Sequence, residues 1–171
     1  MTDPVAQHEA YAPHALGWAV LTVSSSRTLA DDRGGERIAA LLGEAGHERI
    51  ERRLVPDDQV AIAGAVVELL SASGVDVVVV TGGTGVSPSD VTPEAVEPQL
   101  ERQLDGFGEL FRALSFAEIG PAALLSRALA GTARGRAVFV LPGSPGAVEL
   151  AMRRLVLPVA PHLVGQLRRE R

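Results

Sequence analysis

Residues 81–90, Thr-Gly-Gly-Thr-Gly-Val-Ser-Pro-Ser-Asp, put three glycines, two threonines and a carboxylate directly behind four consecutive valines. Gly82, Gly83 and Gly85 can take positive φ and let backbone N–H groups approach a ligand with no Cβ in the way. Thr81 and Thr84 add hydroxyls. At the carboxyl end of a buried strand this composition suits a phosphate cradle, although it is neither a Rossmann fingerprint nor a Walker loop with its lysine. Asp90 supplies either a ligand for a divalent cation or a cap for the helix that Thr92 and Pro93 open. The device recurs at Pro142, Gly143 and Ser144, again between an apolar run and a helix, whose N-terminus favours an anion. Ser24 and the residues up to Arg27 follow a third apolar run. Asp57 follows a fourth strand and reads either as a helix N-cap or as a second carboxylate of the same site.

These groups need a scaffold that brings strand ends together. Runs at 17–23, 75–81 and 137–141 read as buried strands, with residues 77–80 apolar on both faces as in a parallel sheet. Residues 48–55 carry several charges and read as a strand near a sheet edge. Helices are expected over 36–45, with Ile38, Leu41 and Leu42 inward, and over 57–73, with a core stripe of Val60, Ala63, Val67 and Leu70. Further helices are expected over 93–102 and from 106 through 115, the latter packing Phe107, Phe111 and Leu114. A short helix over 121–125 leads into a hairpin that ends with residues 137–141. A helix over 147–157 and a final one punctuated by Pro158 and Pro161 complete the chain. The fold class is α/β: a three-layer αβα sandwich whose mostly parallel sheet has one antiparallel edge strand. Residues 17–171 form one domain, and residues 1–16, with His8 and His14, read as a flexible arm.

Composition narrows the function. With 171 residues and 46% hydrophobic content the chain can bury a sizeable core. A net charge of -5 and a pI near 5.4 give no general attraction for nucleic acid or an anionic membrane, so any anionic ligand must be held locally. The absence of cysteine excludes thiolate chemistry and disulfides and agrees with a cytoplasmic setting. His162, among Leu163, Val164 and Leu167, reads as a packed residue or subunit contact.

Thr81 to Gly85, then Asp90-Val-Thr-Pro-Glu-Ala95, together with Val55-Pro-Asp57, Phe111-Arg-Ala-Leu-Ser115 and Pro142-Gly-Ser144, resemble the motifs of the molybdopterin adenylyltransferase family in order. The resemblance covers about residues 18–166. It implies transfer of an adenylyl group from ATP to molybdopterin with Mg²⁺, Asp57 and Asp90 facing each other as catalytic and metal-holding carboxylates. It assigns substrate contact to Thr81, Gly82, Gly83, Thr84, Gly85, Ser24, Arg112, Ser115, Pro142, Gly143 and Ser144, and a loop-ordering part to Asp32. It also implies a homotrimer or homohexamer and hand-over of product to a molybdenum-insertion enzyme. Two positions depart from the family pattern: Ser89 stands where a basic residue is usual, and Ser25 where an aspartate is usual. Arg27, Arg112 and Arg127 are candidates to supply the missing charge. The departures leave a second reading open, a pterin-binding, oligomeric member with little or no catalysis, beside a third, a plain nucleotide hydrolase.

Overall fold

The computed structural model describes residues 15–47 and 50–169. Strand β1, Trp18–Val23, lies in the interior of a six-stranded sheet with β2, Ile50–Val55, on one side and β3, Val77–Thr81, on the other. Beyond β3 come β6, Arg136–Leu141, then β5, Leu129–Ala133, and the two-residue β4, Arg102–Gln103. β2, β1, β3 and β6 run parallel, and the β5–β6 hairpin and β4–β5 pair are antiparallel. The mixed three-layer architecture agrees with the reading from sequence. The charged strand is an edge: β2 pairs with β1 alone.

The valine run explains the middle of the sheet. Val77 and Val79 face a core formed with helix α1, Arg33–Glu44, with α4, Asp105–Ile119, and with the C-terminal helix. Val78 and Val80 face the opposite core, formed with α2, Gln59–Ser71, and α3, Thr92–Val96. Alternation by two thus feeds both layers from one strand. Leu16, at the edge of the expected arm, is buried in the first of these cores. The arm's residues 1–14, with both histidines, lie outside the described residues.

Three expectations change. On α2 the buried residues are Ile62, Ala65, Val66, Leu69 and Leu70, whereas Val60 is 80% exposed and Val67 is 38% exposed. The helix is apolar nearly all round, so its period alone does not decide which stripe turns inward. The helix expected over 93–102 stops early: α3 passes into a 3-10 turn, Glu97–Gln99, with Pro98 inside it, and the chain then joins the sheet as β4. The two C-terminal helices are one continuous rod. α5, Pro145–Ala151, runs through a π-helical segment, Met152–Val156, into α6, Leu157–Leu167. At its end the N–H of Leu157 reaches back to Met152 O, a five-residue step. The rod continues past Pro158, in the first turn after this segment, and past Pro161 inside α6, although both lack N–H donors.

Candidate active site

Because β1, β3 and β6 are parallel neighbours, the loops after them emerge at the same end of the sheet. This is the crevice between strands that lead away in opposite directions, where ligands bind in open α/β sheets. The three loops pack through glycines. A Cβ on Gly82, φ +101°, would stand 2.4 Å from Val23 O, and one on Gly143 would stand 3.2 Å from Gly82 Cα. Gly83, φ +62°, leaves room for Thr92, whose Oγ1 lies 2.4 Å from where its Cβ would be. In the sequence Thr92, ahead of Pro93, has the residue type of an N-cap. Instead Val91 occupies that position, and the buried Thr92 hydroxyl donates to Gly82 O at 2.8 Å while its N–H donates to Gly83 O at 3.1 Å. The helix after the loop therefore locks the glycine turn itself.

A cavity of about 640 Å³ opens over these loops. Its polar side is lined by Ser24, Ser26, Arg27, Asp57, Gly82, Gly83, Thr84, Gly85, Asp90, Pro142, Gly143 and Ser144. α4 and the 3-10 turn Gly120–Leu125 contribute apolar residues to the lining: Phe111, Ile119, Ala122, Ala123 and Leu125. Ser115 joins them and is buried.

Both carboxylates therefore face one space. Asp57 is not the cap of α2; Asp58 is, accepting from Ala61 N at 2.8 Å. Asp57 Oδ2 accepts from the N–H of Ser25 at 2.6 Å, and the Ser25 hydroxyl accepts from the N–H of Asp57 at 2.9 Å. This reciprocal pair ties the loop after β1 to the loop after β2. Asp90 Oδ2 accepts from Ser87 N at 2.9 Å and sits 2.8 Å from where a Cβ of Gly85 would lie. Only an unsubstituted Gly85 lets that carboxylate lie against the loop. Each carboxylate keeps Oδ1 free of hydrogen bonds among the described residues.

Two of the sequence candidates sit elsewhere. Thr81 is buried below the loops, donating to Pro142 O at 3.0 Å and so joining the β3 and β6 turns. Arg112 points to the far side of α4, against Gly108 and 3.4 Å from the carbonyls of Ser126 and Ala128. Asp32 acts under the site: buried, it caps α1 through Gly35 N at 2.9 Å, accepts from Thr22 Oγ1 at 2.8 Å and pairs with Arg52 at 3.0 Å. Of the three arginines considered for the missing charge, Arg27 alone lines the cavity. Ser89 is exposed, with its hydroxyl 3.3 Å from that of Ser87.

The apolar wall was not legible. Ile119, Ala122 and Leu125 look like ordinary core residues in the sequence, yet Ile119 is 60% exposed and Leu125 is 55% exposed. The available signal is the Gly120-Pro121 break, which ends the face carrying Phe107 and Phe111 and turns the next apolar residues elsewhere.

An α/β sheet with glycine loops and carboxylates gathered at one switch point has the form of a ligand-binding α/β protein. Residues 19–162 match the family model of a probable molybdopterin binding domain, and the chain belongs to the molybdenum cofactor biosynthesis family. Molybdenum cofactor biosynthesis protein B of Bacillus cereus is 43% identical over 167 residues, 97% of this chain and 99% of that protein. The protein of that name in Staphylococcus carnosus is 49% identical over 152 residues, covering 87% and 89%. A crystal structure of a molybdenum cofactor biosynthesis protein B superposes with a TM-score of 0.89 at 43% identity, covering 93% of this chain and 99% of that one. The tungsten cofactor synthesizing protein of Pyrococcus furiosus gives 0.82 at 37% identity, covering 92% and 99%.

Proposed function

We propose that this chain adenylylates molybdopterin with Mg-ATP, giving adenylyl-molybdopterin and pyrophosphate. The observation that carries the reading is the single cavity in which Asp57, Asp90 and two glycine-containing loops face an apolar wall. One side suits phosphates and the other suits flat heterocycles. In this reaction an oxygen of the terminal phosphate of molybdopterin attacks the α-phosphorus of ATP. The bond from that phosphorus to the bridging oxygen of the β-phosphate breaks, and pyrophosphate carries the electron pair away. No protein nucleophile is required, in keeping with a cavity lining that among the described residues includes no histidine and with a chain without cysteine. The protein must instead align two polyanions and offset their charge.

Backbone amides of Gly83 to Gly85 and around Gly143, with the hydroxyls of Ser24, Thr84 and Ser144, are the donors for phosphate oxygens, and Ser115 offers a hydroxyl on the heterocycle side. Arg27 supplies the positive side chain. The site also fits Mg²⁺. Among the described residues no three histidine, cysteine or acidic side chains form a ready metal cage, but Asp57 and Asp90 line one cavity. Mg²⁺ is commonly held by one or two carboxylates together with substrate phosphates. When bound it supplies charge neutralisation to the phosphates. Thr81 and Arg112 support the walls of the site from outside it.

A second reading, a pterin-binding member with little catalysis, draws on the charge inventory: among the described residues Arg27 is the one cationic side chain lining the cavity, and Ser89 does not line it. Calorimetric titration separates the readings. The transferase binds ATP with an affinity that depends on Mg²⁺ and releases neither AMP nor ADP without the pterin. ATP affinity indifferent to Mg²⁺ would contradict it, and nucleotide hydrolysis in the absence of pterin would favour a hydrolase.

A further inference from the structure

Arg127 lies outside the cavity lining, yet it contacts the glycine loop at three points and the helix after it at a fourth. Its N–H donates to Thr84 O at 3.0 Å, its Nε to Gly85 O at 2.7 Å and its Nη2 to Asp90 O at 2.6 Å. Its Nη1 is held by the carboxylate of Glu94 on α3. Residues 86–89 are exposed between the two stapled carbonyls. The staple therefore fixes the two ends of the loop, and within it Ser87 and Asp90 bond each other, Asp90 N donating to Ser87 O at 2.9 Å. Asp90 Oδ2 in turn rests on Gly85 and accepts from Ser87 N, so the place of the carboxylate follows from the place of Gly85.

We infer that Arg127, oriented by Glu94, is the positioning residue that sets the carboxylate of Asp90 relative to the glycine cradle. It acts through backbone carbonyls and not through substrate. The inference rests on the adenylyl-transfer reading for its catalytic consequence, and on geometry alone for the staple. A planar guanidinium is what the arrangement needs: three donors in a fixed fork reach two carbonyls and one carboxylate at once, which an ammonium on a flexible stem cannot do. Glu94, whose carboxyl is held below its ordinary range chiefly by its hydrogen bond to Arg127, stays ionised to orient that fork.

The test compares Arg127→Lys, Arg127→Gln and Glu94→Gln with the unaltered chain by amide hydrogen exchange, melting, and steady-state kinetics at varied Mg²⁺. A positioning role predicts faster exchange across residues 83–91 in all three. It also predicts that Arg127→Lys, despite its charge, loses kcat almost as severely as Arg127→Gln, by about a hundredfold for a displacement near 1 Å. The Mg²⁺ concentration for half-maximal rate rises while KM for molybdopterin holds. A phosphate-binding role would instead leave Arg127→Lys nearly active and raise KM for ATP in Arg127→Gln, which would overturn the inference. Unchanged exchange over residues 83–91 would overturn it too. If the unaltered chain shows no turnover, the adenylyl-transfer reading fails, while the exchange data still decide the staple. Glu94→Gln guards against misfolding as an explanation, because it leaves Arg127 in place and loosens only its anchor.

Discussion

For Asp57 and Asp90, local chemistry decides whether a carboxylate caps a helix or faces the cavity. For Asp57 the neighbour Asp58 takes the cap, freeing its carboxylate for the loop after β1. Ser25 shows why a departure from a family pattern is hard to weigh without structure. It adds no charge, but its hydroxyl and N–H close a reciprocal pair with Asp57. The arginines could not be separated in the sequence, because which cation lines the cavity depends on where each helix and loop faces. Arg27→Gln should weaken Mg-ATP binding several-fold and leave the melting temperature unchanged, as an exposed charge facing ligand would; titration calorimetry beside a melting curve checks both. Gly83→Ala should act the other way. With φ at +62° and a methyl group 2.4 Å from Thr92 Oγ1, it would strain the backbone and push aside the Thr92–Gly82 bond. A loss of about 2–3 kcal/mol is expected, read from the urea midpoint.

Elements were legible where their pattern was unambiguous. The four valines, the charged β2 and the β5–β6 hairpin each carried a signal that a single physical cause explains: burial on both faces, an edge, a tight turn. α2 failed as a pattern because Val60, Ala63 and Val67 are as apolar as Ile62, Val66 and Leu69, and only packing chooses between the stripes. The C-terminal rod failed for another reason. Two prolines predict a break, and the chain instead runs through a π turn and on past both of them, with no mark of this in the residue types. At the end of α1, buried His47 packs its ring 5.1 Å from that of Trp18, and burial lowers its pKa from the ordinary value. In the folded chain the ring therefore resists protonation more than in the unfolded chain. Its contribution to stability is complete above the unfolded value of about 6.5 and is lost as pH falls from there through the lowered folded value. The melting temperature should decline over that window, and His47→Phe should flatten the decline; an unchanged slope in the variant would refute the assignment.

At the scale of the whole molecule, the order of motifs was enough to name the architecture, because parallel strands carry their loops to one end and ligands bind there. The apolar wall was invisible for the converse reason: its residues are distant in sequence from the loops they face. Among the described residues no helix is long and apolar enough to cross a membrane. We propose a homotrimer or homohexamer acting in the cytoplasm and passing its product to a molybdenum-insertion enzyme. The exposed Val60 and Val67 beside Ala63 and Pro98 offer an apolar surface consistent with self-association. The central claim, that one cavity aligns molybdopterin and ATP for adenylyl transfer, is tested most directly by incubating the purified protein with both and Mg²⁺, then separating products by chromatography and weighing them by mass spectrometry. The account predicts adenylyl-molybdopterin and pyrophosphate in equal amounts at catalytic rates, and loss of most of that turnover in Asp90→Asn at an unchanged melting temperature. Pterin bound without product, or Asp90→Asn turning over as fast as the unaltered chain, would contradict it.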